Sequence, residues 1–111
     1  MKLITDEQLK RLRANFKANL GVEDTTDFQP VVKIFTAGAG ATWLLSELSE
    51  EGIGFGLADL GHGFPELGYI DITPIENLPS EFMVERDRYF TATKTLSEYA
   101  DEARSAGRII A

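Results

Sequence analysis

Residues Ile53–Ile72, IGFGLADLGHGFPELGYIDI, decide the fold, because two runs of alternating residues flank one glycine-rich connection. In the first run Ile53, Phe55, Leu57 and Asp59 point one way while Gly54, Gly56, Ala58 and Leu60 point the other, which is the two-residue period of a β-strand. In the second, Leu67, Tyr69 and Asp71 alternate with Gly68, Ile70 and Ile72. Gly61, His62, Gly63 and Pro65 supply turn chemistry between them, so the stretch predicts an antiparallel pairing at the centre of a sheet. The glycine face of the first run offers no side chain to pack. Such a face is tolerated where another element approaches the backbone, and a helix is expected over it.

Outward from this centre the chain changes period twice. Val31–Phe35 is dense in β-branched residues and predicts a strand opened by Pro30. A second strand, 43–48, places Trp43, Leu45 and Glu47 on one side and Leu44, Ser46 and Leu48 on the other. Trp43, at the start of an apolar run, is expected in the core rather than as a stacking platform. Between these strands Thr36–Thr42, TAGAGAT, must turn the chain. Its Gly-x-Gly pair lacks the Gly-Lys-Ser/Thr sequel of a phosphate loop. The central strands are expected over 53–60 and 67–73.

At the start, Leu9, Leu12, Phe16 and Leu20 recur at three- and four-residue spacing and predict a helix over 5–20, with Thr5 as cap, Asp6 and Glu7 in the first turn and Gly21 at the end. Lys10, Arg13 and Lys17 form a basic flank beside this stripe, expected to be solvated. At the other end Thr95-Leu96-Ser97-Glu98 is a capping box opening a helix over 95–106, with Leu96, Tyr99, Ala100 and Ala103 as its apolar face. Pro74 and Pro79 bracket a single helical turn. Val84–Phe90, with four consecutive charges, belongs at a sheet edge or across the surface. Short connections favour a meander, so the expected fold is α+β: an antiparallel sheet of four or five strands flanked by an N-terminal and a C-terminal helix, as one domain over 1–111.

Composition narrows the function. The 111 residues carry a net charge of −7 and no cysteine. Disulfides, thiolate nucleophiles and cysteine-bound zinc are therefore absent. Neither a secretory leader nor a long apolar span is visible, which predicts a cytoplasmic location and no membrane contact. Lys2, Lys10, Arg11, Arg13 and Lys17 outnumber Asp6 and Glu7 at the start, so the remainder is strongly acidic. An acidic body disfavours direct nucleic-acid binding, and a basic protein partner or plain solubility is the better reading.

Several residues have the chemistry for a site. His62, the single histidine, could act as a base if Asp59 or Glu66 oriented it, and Asp59, Glu66 and Asp71 could offer oxygens to a cation, but no nucleophile signature or calcium-loop spacing accompanies them. No catalytic residue, metal or cofactor is assigned. Glu66, Tyr69, Glu85, Arg86 and Asp87 are the candidate binding residues, because an arginine between two acids can pair with one and keep a fork for a partner. A structural ion pair is the competing account of that cluster.

Lys2-Leu3-Ile4-Thr5 before the first helix, Trp43 with Glu47, Phe55-Gly56, Glu66-Leu67-Gly68-Tyr69, Glu85-Arg86-Asp87 with Phe90, and Leu96-Ser97-Glu98 together resemble the bacterial domain-of-unknown-function 2958 family. The resemblance covers most of the chain, with Glu66–Tyr69 followed by Glu85–Asp87 as its most specific part. It implies a setting on plasmids, phages and integrated elements and supplies no reaction. The expected function is a non-catalytic interaction protein binding a host or element-encoded protein, in its sharper form an acidic inhibitor of a defence or DNA-handling protein. The alternative is a small hydrolase or metal-assisted enzyme around Asp59, His62 and Glu66.

Overall fold

A computed structural model describes residues 3–111. The first helix, α1 (Asp6–Asn19), starts where Thr5 accepts a hydrogen bond from the Gln8 N–H at 3.1 Å and returns its own N–H to Gln8 Oε1 at 3.0 Å. This reciprocal cap satisfies donors that the first turn cannot pair internally. Five strands follow as β1 (Val32–Thr36), β2 (Thr42–Leu48), β3 (Ile53–Asp59), β4 (Glu66–Asp71) and β5 (Val84–Arg86), with a short helix α2 (Thr73–Glu76) and a 3-10 turn (Ser80–Phe82) between the last two. The final helix, α3 (Leu96–Ala106), opens with the Thr95 N–H donating to Glu98 Oε1 at 2.9 Å and ends at Gly107.

The sheet runs β4-β3-β2-β1-β5 and all of its pairings are antiparallel. Four strands form the expected meander, but β4, expected with β3 at the centre of the sheet, is its outer edge, because the chain leaves β4 and lays its last strand against β1 instead. The chain then passes from the β4 edge to the far edge, where β5 pairs with β1. Val84–Phe90 thus supplies an edge strand, as its charges predict.

Each face of the sheet is covered by different elements. Val32, Ile34, Trp43, Leu45 and Leu48 pack with Leu12 of α1 and with Ile72 and Ile75 around α2. Leu44 and Leu57 lie on the opposite face, beneath Leu96, Tyr99, Ala100 and Ala103 of α3, with Ile109 beyond the helix. All four residues expected on the apolar face of the last helix are buried, and Trp43 is core at 6% exposure.

Two further expectations are corrected. No helix fills the glycine strip of β3. The strip lies on the α1 face, away from α3, and the Leu45 side chain folds over it: a Cβ at Gly56 would sit 3.0 Å from Leu45 Cδ2 and would collide with the Leu44 carbonyl oxygen. Close approach of a neighbouring strand, rather than of a helix, requires glycine here. The second correction is the facing of β2. Leu45 pairs with Gly56, yet Glu47 pairs with Phe55, so Ser46 is an extra residue in a β-bulge. The bulge reverses the alternation beyond it. Leu48 joins Trp43 and Leu45 on the α1 face, and Glu47 turns to the α3 face.

Candidate functional site

The bulge sets up a row across the α3 face, with Glu47 on β2 opposite Phe55 on β3, and Phe55 opposite Tyr69 on β4. The Phe55 and Tyr69 rings meet edge to face, with centroids 5.2 Å apart at 65°. Tyr69 is 74% exposed, whereas Glu47 is only 8% exposed. The Glu47 carboxylate accepts one hydrogen bond, from Asn19 Nδ2 at 3.0 Å. Burial pushes its pKa above the ordinary value, against the lowering effect of that bond. Asn19 also donates to Thr26 O and accepts from the Thr26 N–H at 2.8 Å, so one side chain both holds Glu47 and shapes the loop after α1.

Asp27 fixes that loop to the start of α3. Its carboxylate accepts from the Ser97 hydroxyl and from the Ser97 N–H at 3.2 Å. Burial raises the Asp27 pKa, but the bonds from Ser97 and Thr95 outweigh it and the net shift is downward. Between this loop and the strands lies a groove of 680 Å³. Phe16, Leu20, Ile53, Phe55, Leu67 and Tyr69 supply its apolar surface, and its charged lining is Asp27, Glu47 and Glu51, with no lysine, arginine or histidine among the described residues. Leu20, the last residue of the apolar stripe of α1, is 66% exposed and borders this groove instead of the core. The arrangement suits an apolar ligand carrying positive charge. Two rings give it surface, and a poorly solvated carboxylate gains from a cation.

The five candidate binding residues fall on opposite edges of the sheet. Glu66 and Tyr69 lie on β4, and Glu85, Arg86 and Asp87 lie on or just after β5. Four strand spacings, roughly 19 Å, separate the edges, so the residues do not make one site. On β5, Arg86 faces the α1 side opposite Ile34, and its Nη1 donates to Leu3 O at 3.0 Å. Asp87 lies 3.5 Å from Lys33 Nζ and accepts the Tyr89 N–H at 2.9 Å. Lys33 in turn donates to Ala111 O at 2.7 Å. Arg86 and Asp87 therefore tie the sheet edge to both ends of the described chain, while Glu85 is exposed.

Asp59, His62 and Glu66 are spread rather than gathered. Asp59 is 5% exposed, and its two oxygens accept from the Gly61 N–H at 2.9 Å and the Ile109 N–H at 3.0 Å. It latches the segment after α3 to the sheet. His62 and Glu66 are exposed, and His62 makes no hydrogen bond among the described residues. No group of three His, Cys, Asp or Glu suited to a metal ion occurs among them. The glycine-rich turn has no amides to spare for a phosphate: Ala37 and Gly38 donate to Met83 O and Phe82 O, and Ala39 and Gly40 both donate to Thr36 O. Gly38 is required because a Cβ would collide with Glu81 O.

Glu47 and Asn19 escaped the sequence reading as site residues. An acid inside the apolar run Trp43–Leu48 was the available signal, but without the bulge it belonged to the face of Trp43.

A family described as a protein of unknown function, DUF2958, matches residues 3–110. The chain belongs to the DUF2958 family. Comparison with curated proteins and with solved structures gives no significant match. In this DUF2958 protein the family-like pieces lie apart in the fold: Trp43 in the core, Glu47 and Tyr69 at the groove, and Arg86 with Asp87 at the far edge. No helix among its described residues is long and apolar enough to cross a membrane.

Proposed function

We propose that this protein is a non-catalytic interaction protein of a bacterial mobile element, acting in the cytoplasm, which binds a basic host or element-encoded protein at the α3-face groove. The observation that carries the reading is the row Glu47–Phe55–Tyr69, an exposed tyrosine against a half-buried phenylalanine beside a buried carboxylate, in a groove whose charged residues, among those described, are all acidic. Apolar surface and a partly desolvated negative charge together favour a cationic, partly apolar partner segment over an anionic one. The net charge of −7 steers such a partner and disfavours nucleic acid. A partner whose basic surface ordinarily meets DNA fits the same chemistry, which supports the inhibitor form of the proposal.

The test begins with capture of a partner from host lysate by immobilised protein, followed by titration of the purified partner. Stoichiometric binding is expected, weakening as salt rises. Tyr69→Ala removes an exposed ring outside both core clusters. It should weaken partner binding by about tenfold or more, as loss of an aromatic anchor does, while costing only about 0.5–1.5 kcal/mol of stability through the lost ring contact with Phe55. Salt-independent binding, or binding indifferent to Tyr69, would refute the groove.

A further inference from the structure

The phase of the β3–β4 ladder leaves half of the β4 backbone facing outward. The Ile72 N–H donates to Gly52 O at 3.0 Å, extending the register one pair beyond Ile53 and Asp71. Antiparallel pairs alternate between those that exchange both backbone bonds and those that exchange none. Gly54–Ile70, Gly56–Gly68 and Ala58–Glu66 are therefore the bonded pairs. The other side of β3 agrees, since Ile53 O accepts from the Ser49 N–H at 2.8 Å, toward β2. The N–H and C=O groups of Leu67, Tyr69 and Asp71 consequently point away from β3, and β4 is the last strand of the sheet. Among the described residues no backbone bond reaches them.

Natural sheets blunt such edges with short strands, charges, prolines or bulges. The β5 edge follows that pattern, with three residues, two of them charged. The β4 edge has six residues, contains neither proline nor lysine, and carries Gly68 at its middle, where an added Cβ would meet nothing within 4 Å. The outward residues Leu67 and Tyr69 also line the groove.

We infer that β4 accepts an extended segment of a basic partner protein as a sixth strand, paired through the backbone of Leu67, Tyr69 and Asp71, with alternate side chains of that segment against Leu67 and Tyr69. This deepens the proposed binding role and rests on it. Strand addition takes its affinity from backbone bonds and its specificity from alternate side chains. Charge selects the occupant. Glu66 and Asp71 stand at the two ends of the exposed strand, and Asp27, Glu47 and Glu51 line the groove beside it. A second copy would bring the same acids and another net charge of −7 to this edge. Like charges across a strand pair are unfavourable, whereas a strand flanked by Lys or Arg meets opposite charge at both ends.

A library of short random peptides, selected on the protein at low salt, supplies the probes, and amide hydrogen exchange locates where they sit. Enriched peptides should combine alternating apolar residues with flanking Lys or Arg. Their binding should slow exchange at Leu67, Tyr69 and Asp71 by about tenfold or more, with little change at Gly68 and Ile70, which already bond β3. Tyr69→Pro deletes one outward N–H and no bond to β3. It should bind these peptides about tenfold more weakly than Tyr69→Ala, which keeps the N–H. If Tyr69→Pro does not fold, the exchange pattern of the unaltered chain decides alone. Failure to enrich any peptide, peptides without basic residues, peptides that leave those three amides unchanged, or self-association through β4 would each overturn strand addition. A captured partner that binds Tyr69→Pro and Tyr69→Ala equally, and both more weakly than the unaltered chain, would remove the sixth strand and leave the groove standing.

Discussion

Glu47 is a carboxylate in a place that disfavours its charge. Desolvation raises its pKa above the ordinary 4.5, and the Asn19 bond offsets only part of that effect. A carboxyl whose folded pKa is raised holds its proton more tightly when native, so stability falls as pH climbs from 4.5 through the raised value and stays reduced above it. Glu47→Gln should therefore raise the denaturation midpoint at neutral pH, and the gain should vanish as pH falls toward 4.5. Denaturation curves across a pH series check this. Trp43 is the opposite case, an apolar ring in an apolar environment at 6% exposure. Trp43→Ala should cost about 3–5 kcal/mol in chemical denaturation. Trp43 was legible in the sequence because its neighbours share its preference. The role of Glu47 was not, because the face of a residue depends on a backbone insertion that no side chain announces.

The same contrast holds for the elements. Both long helices were legible to within a residue or two, since caps and apolar stripes are local signals. The bulge, the glycine strip and the Arg86 bond depend on what lies across the sheet, and alternation within one strand does not contain them. Gly56→Ala must shift β2, because the Leu44 carbonyl occupies the space, and a loss of about 1–3 kcal/mol is expected from such overpacking. Asp59→Ala would leave the buried Ile109 N–H without its acceptor, at a cost of about 1–3 kcal/mol. Its effect should appear as faster amide exchange after Gly107. Arg86→Glu replaces the donor to Leu3 O with an acceptor, so it should lower the denaturation midpoint. Titration of the captured partner with the same variant separates the two accounts of the cluster: unchanged affinity makes Arg86 a tie, and an affinity loss larger than the stability loss makes it a contact.

At the scale of the molecule, charge and strand order act together. The body is acidic, its groove lies on one side of the sheet toward β4, and the edge bearing Arg86 lies on the other. The sheet order was only partly legible. Successive hairpins follow from short connections, but nothing in the sequence states that the chain would pass from one edge of the sheet to the other before laying down its last strand. That path also bears on how the protein assembles. The β1–β4 meander forms by closing short loops between neighbours, whereas β5 can pair with β1 only after the chain has traversed the sheet. Loop-closure entropy places the neighbouring hairpins early and the β1–β5 closure late in folding. Substitutions at the β2–β3 pairing should thus slow refolding, while substitutions in Val84–Arg86 should chiefly hasten unfolding, which makes the far edge the point at which the native sheet first comes apart.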